Sequence, residues 1–189
     1  MNQHIATGLV SYQDIYYESN FLDKCYFVIK RPCDCSITEL HYFYLLLRKG
    51  NKVSPIDLPL KILNSDYLGF CYQNKKLVGI SAIKSPTRSY LEDVHLKAGI
   101  IYTIDRPFLE IGYSFTLACF RRKGISGTLK RMLLGKVRHH QGILFSTTAI
   151  PSSQRFLMAN GFHPQGNPYR GNYDNNIIYF EKEMQPGFT

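Results

Sequence analysis

The segment Arg121-Arg122-Lys123-Gly124-Ile125-Ser126-Gly127 brings three cations and two glycines to the start of a run with helical apolar spacing. That combination can hold a phosphate. The first N–H groups of a helix have no intrahelical acceptor, and the positive end of the helix dipole points the same way. A glycine there lets an anion reach the backbone with no Cβ in the way. The patterns GxxxxGK[ST] and GxGxxG are absent, so the segment is neither a P-loop nor a dinucleotide fingerprint.

Charge gathers around the same place. Between Glu110 and Asp174 there is no acid, while nine of the 23 Lys and Arg lie there; the remaining 14 balance the 14 Asp and Glu. The excess of positive charge belongs to residues 111–173 and fits either an anionic ligand or a solvated basic face.

Elements must position this loop. Phe108–Phe120 reads as a long apolar strand leading into it. A helix from Gly124 to about His139 follows, with Ile125, Leu129, Met132, Leu133 and Val137 on its apolar face. Upstream, Lys24–Lys30 reads as a strand. Ser36-Ile37-Thr38-Glu39 reads as a capping box opening a helix to Gly50, and 58–63 as a short helix. The runs 67–73 and 77–84 form a hairpin around Asn74-Lys75-Lys76, and a short helix spans 89–97. Downstream come a strand over 143–149, a helix over 151–160 stopped by Gly161, and a hairpin through 169–173 to 177–183. The order predicts one α+β (mixed α/β) domain over 1–189: a mostly antiparallel twisted sheet with one strand–helix–strand crossover and flanking helices.

The loop resembles the pyrophosphate loop of the GNAT superfamily of N-acyltransferases, Arg/Gln-x-x-Gly-x-Gly/Ala. Arg121, Gly124 and Ser126 stand at the matching positions, Ser126 departing from Gly/Ala. Family members often carry a Glu eleven positions ahead of the Arg/Gln, and Glu110 stands there. Asn160-Gly161-Phe162 is similar to the "GF" that closes the family's next helix. The element order over about 24–183 is similar to the family's, with the specific motif over about 108–162. Ile83–Pro86 and Lys97–Gly99 resemble segments of phage and bacterial members of unassigned substrate.

The resemblance implies an N-acetyltransferase that moves an acetyl group from acetyl-CoA to an amine by direct transfer in a ternary complex. It implies that backbone groups of Ser114, Phe115 and Thr116 hold pantetheine and polarise the thioester. It further implies that Arg121, Arg122, Lys123, Gly124, Ile125, Ser126 and Gly127 hold the pyrophosphate and that Glu110 acts as base. The family's usual acid, a Tyr four residues before the Gly of "GF", is replaced by Leu157. Tyr169 is the substitute chosen from Tyr113, Tyr169, Tyr173 and His163.

The acceptor is an amine of unspecified class: a small molecule, a protein, an aminoacyl-tRNA or a nucleic-acid base. The alternative is a degenerate, non-catalytic GNAT-fold protein binding nucleic acid through its basic 111–173 stretch, and a homodimer is compatible with either. No metal is expected, because Cys33-Asp34-Cys35 lacks a second ligand pair. Cys119 reads as a small buried hydrophobe, His139-His140 as the close of a helix, and no GxSxG is present. The five cysteines suit reduced thiols, and the first fourteen residues lack the basic and apolar blocks of a secretory signal. With no apolar run of bilayer length, a soluble cytoplasmic protein is expected.

Overall fold

In a computed structural model of the chain, residues 21–101 and 105–184 are described. The expectation drawn from the first fourteen residues lies outside them. Seven strands form one sheet in the order β1-β2-β3-β4-β5-β7-β6. They are β1 Cys25–Lys30, β2 Ser65–Gln73, β3 Lys76–Lys84, β4 Phe108–Thr116, β5 Gly142–Thr148, β6 His163–Tyr169 and β7 Ile177–Met184. Only β4 and β5 are parallel; every other pair is antiparallel. The helices are α1 Ile37–Gly50, α2 Leu58–Leu63, α3 Arg88–Ala98, α4 Ile125–Lys136 and α5 Pro151–Ala159. This is the predicted mixed sheet with a single crossover, β4–α4–β5. None of the described helices is long and apolar enough to cross a membrane.

Local chemistry explains several of these elements. Ser36 Oγ accepts from the Glu39 N–H at 3.2 Å, and the Glu39 carboxylate accepts from the Ser36 N–H at 2.8 Å, closing the predicted capping box. Asn74 and Lys75 both have φ in the left-handed region, 49° and 63°, which matches the twist a two-residue hairpin needs. At the end of α5, Phe162 N–H reaches Leu157 C=O and Gly161 N–H reaches Met158 C=O, with Gly161 at φ 80°. That Schellman arrangement is why the helix stops at its Gly.

Strand alternation divides the layers. Leu109, Ile111 and Leu144 pack with Leu133, Val137 and Leu157 of α4 and α5. Phe108, Ile143 and Phe145 face the other way, with Leu91, Val94 and Ala98 of α3. α4 and α5 therefore cover one face and α3 the opposite one. α1 and α2 pack through Phe43, Leu47, Leu58 and Ile62 around Phe70 and Ile80.

Five expectations are corrected. β4 ends at Thr116, and Ala118–Phe120 is a 3-10 turn, because the Leu117 N–H bonds to Val78 C=O and draws the chain across the end of β3. Cys119 sits on that turn and is exposed rather than buried. The sixth strand lies over His163–Tyr169, ahead of the expected 169–173; its Pro164 and Pro168 would be unfavourable in an inner strand but are tolerated on a sheet edge. α4 stops at Lys136, so His139-His140 lie in the turn beyond it. Its buried stripe is Ile125, Leu129, Leu133 and Val137 with Lys130, while Met132 is 38% exposed.

Candidate active site

β4 and β5 pair only over Phe108↔Ile143, Leu109↔Leu144 and Glu110↔Phe145, and then part. Beyond Glu110 the β5-facing edge of β4 is open. Its first carbonyl there, Ile111 C=O, accepts from Ser146 Oγ at 2.9 Å. Between Ile80↔Phe115 and Ala82↔Gly112 the register slips, with Tyr113 at φ 50°. This bulge in β4 re-aims the strand at the opening. Ser114 Oγ lies 2.7 Å from Ser81 Oγ, which in turn donates to Gly112 C=O at 3.2 Å, so the bulge is tied to β3.

At the α4 end the chain makes a tight mouth. Arg122 has φ 60° and Gly124 φ 82°; the first helix-closing bond runs from Thr128 N–H to Gly124 C=O. The N–H groups of Ile125, Ser126 and Gly127 precede that bond and point out of the helix start. Arg121 is anchored by its Nε donating to Thr116 C=O at 3.2 Å, and Lys123 Nζ sits 4.3 Å from the Phe21 ring centroid. Thr116 Oγ1 is buried with no hydrogen-bond partner among the described residues. Outward amides and three cations fit the phosphates of a CoA-type donor.

The opposite face of the opening is aromatic and carries one carboxylate. Glu110 is 5% exposed, and its Oε2 lies 2.7 Å from Lys84 Nζ, a charge contact outside hydrogen-bond alignment. Tyr90 Oη donates to Glu110 Oε1 at 3.4 Å. Lys84 Nζ also sits over the Tyr113 ring, 4.2 Å from its centroid, and 5.7 Å from that of Tyr90. Tyr90 is 37% exposed as a residue, yet its hydroxyl turns inward, where burial and then Glu110 hold its pKa well above the usual phenol. Tyr113 is raised by the same two causes. Tyr169, at the end of β6, is pushed up to about 12, chiefly by burial, beside Thr147 and Glu110.

Between the two helix starts lies a cation. Lys130 is 4% exposed; its Nζ donates to Ser153 Oγ at 3.0 Å and stands 5.3 Å from the Phe156 ring centroid. Burial brings its pKa down to about 8. An unfolded lysine keeps its proton to about 10.4. The unfolded chain therefore binds more protons than the fold between those values, and stability should rise with pH across that window. Replacement by Met should remove that rise, which denaturant titrations at pH 7.5, 9 and 10.5 would detect.

The structure brings Ser114, Phe115, Thr116 and Arg121 to Gly127 together at the open end of β4, with Glu110 at the vertex and Tyr169 on the Glu110 face. Leu157 is 1% exposed and fills the core against Leu133 and Phe162. Sequence reasoning missed Lys84, Tyr90 and Thr147, which come from other elements, and treated Lys130 only as surface charge. A strand-terminal Lys opposite a strand Glu was the one available signal for Lys84. Two shallow concavities, around Tyr26 and Tyr72 and around Val28 and Met132, lie away from this opening.

No family model matches the chain, and no curated relative does. Solved structures do. Escherichia coli ElaA is 18% identical with a TM-score of 0.65, over 84% of this chain and 99% of its own. An acyl-CoA N-acyltransferase from Pseudomonas aeruginosa is 13% identical with a TM-score of 0.61, over 84% and 99%. A GNAT-family acetyltransferase from Streptococcus agalactiae is 15% identical with a TM-score of 0.58, over 84% and 96%. The described chain has the GNAT fold.

Proposed function

We propose that this GNAT-fold chain is an N-acyltransferase that carries an acyl group, acetyl in the first instance, from acyl-CoA to an amine by direct transfer within a ternary complex. The observation that carries this reading is the parting of β4 and β5, with the left-handed mouth of α4 and its cations at one end and the buried Glu110 at its vertex. The fold of the solved structures supports acyl transfer in general. Acetyl as the group and an amine as the acceptor follow from the loop resemblance and from Glu110.

Acyl-CoA supplies an activated thioester. The amides of 122–127 and the side chains of Arg121, Arg122 and Lys123 hold its phosphates. Backbone groups of Ser114, Phe115 and Thr116 along the open edge hold the pantetheine and polarise the carbonyl. Glu110 takes the proton of the amine, directly or through a water, so that the lone pair is free to attack. Lys84 supplies the counter-charge without which a buried carboxylate would be costly. Tyr169, the substitute acid that the resemblance offered, stands on the acceptor face near Glu110.

The alternative of a nucleic-acid binder has lost one cation from its basic face, since Lys130 is buried. Acetyl-CoA at about 100 times its Kd should stabilise the protein by ~2.7 kcal/mol. Thermal unfolding with and without acetyl-CoA tests this. An unmoved midpoint at millimolar acetyl-CoA and CoA would sink the acyltransferase reading.

A further inference from the structure

Lys130 is the buried charge the reading above leaves without a task. It is 4% exposed, and none of the ion pairs among the described residues involves it. Its surroundings make this costly. Ser153, its hydrogen-bond partner, lies in the first turn of α5, and Lys130 itself is in the second turn of α4. The ammonium therefore sits near two positive helix ends, inside a stretch with no acid from 111 to 173. A cation so placed is poised for a negative charge that no described residue brings to it.

The position says which charge. α5 begins just past β5, and Gln154 Nε2 donates to Thr148 C=O at 3.3 Å, fixing its first turn to the β5 wall of the opening. Phe156 bridges the two helices: a Cβ on Gly127 would meet its ring at 3.7 Å, and Lys130 Nζ lies over the same ring. Ser153 is one helical turn ahead of Leu157, on the same face of α5. The ammonium thus enters from α4 about one turn from the place where the resemblance expects a tyrosine acid. Pyrophosphate is served by the outer amides and by exposed arginines; a permanently charged group does not call for a cation buried this deeply. A charge that appears only as a bond breaks does.

We propose that Lys130 is the proton donor to the leaving thiolate, an assignment that rests on the acyl-CoA reading above. As the carbon–sulfur bond breaks, its electron pair goes to sulfur. Lys130 Nζ gives that sulfur a proton and becomes a neutral amine, which water recharges. Its lowered pKa, near that of a thiol, suits the exchange, whereas Tyr169 at about 12 is a poor match.

The test is the ionisation of CoA bound to the full-length protein, followed by thiolate ultraviolet absorbance against pH. With Lys130 in place the bound thiol should titrate about one unit or more below free CoA, since an adjacent cation favours the thiolate. Lys130→Met should reverse that shift, and Tyr169→Phe should leave it. Desulfo-CoA, which keeps the phosphates and lacks the sulfur, should bind Lys130→Met within about threefold of the parent; a loss of about tenfold or more would give Lys130 to the pyrophosphate and overturn the proposal. A bound thiol that titrates like free CoA in the parent protein would also overturn it, without need of any variant. Lys130→Arg separates charge from proton: it should keep the lowered thiol pKa yet lose about 10²-fold in kcat, because a guanidinium does not give up its proton. If CoA does not bind at all in calorimetry, the acyl-CoA reading itself has failed, which is a distinct result.

Discussion

Gly124→Glu is expected to weaken acetyl-CoA binding by about two orders of magnitude or more, the equivalent of ~2.8 kcal/mol. Two effects act together. The carboxylate puts a negative charge where backbone amides and Arg121 to Lys123 would meet phosphates. The Cβ also lands in a left-handed conformation, φ 82°, where it would lie 3.3 Å from the Leu22 side chain. A non-glycine residue there costs roughly 1–2 kcal/mol of strain, so some loss of stability is expected as well. Gly124→Asn separates the two, since Asn tolerates that backbone region and brings no charge. It should keep acetyl-CoA affinity within about tenfold. Isothermal calorimetry on both variants, with denaturant midpoints as the fold control, checks this. Unchanged affinity in Gly124→Glu would remove the loop from the donor site.

The loop was legible because its chemistry is local: glycine, cations and the apolar period of α4 lie within one short stretch of sequence. The same holds for the capping box of Ser36 and Glu39 and for the stop at Gly161. What escaped reading is set by tertiary contact. A tyrosine at φ 50° is locally unfavourable, and Tyr113 adopts it because β4 bulges against β3 while its ring is held under Lys84. The burial of Lys130 was hidden by its neighbours. It stands beside Leu129 at the border of the apolar stripe and before Arg131, so charge pattern alone places it at the surface. Only the approach of α5, bringing Ser153 and Phe156, closes over it. His163–Tyr169 escaped because its prolines and glycine are unfavourable in an inner strand, whereas an edge strand has hydrogen bonds to spare on one side.

The pair Lys84–Glu110 gives the second large expectation, because one residue is argued to do chemistry and the other to make that chemistry affordable. Glu110→Gln should lower kcat about 10²-fold or more at neutral pH while leaving acetyl-CoA affinity in place. The loss should be largest at low pH and shrink as the acceptor amine deprotonates on its own. Lys84→Met acts differently. It leaves the Glu110 carboxylate, side chain 7% exposed, without its cation and should destabilise the fold by ~3–5 kcal/mol. The double variant, Lys84→Met with Glu110→Gln, removes both charges and should recover most of that stability while staying catalytically poor. Urea unfolding of the parent, both single variants and the double variant measures the coupling, and pH–rate profiles of the same set measure the base. Stability that falls additively would mean that Lys84 does not serve Glu110. Turnover of Glu110→Gln equal to the parent from pH 6 to 9 would make this a structural ion pair and place the deprotonation of the amine elsewhere, with the parting of β4 and β5 still in place to receive the donor.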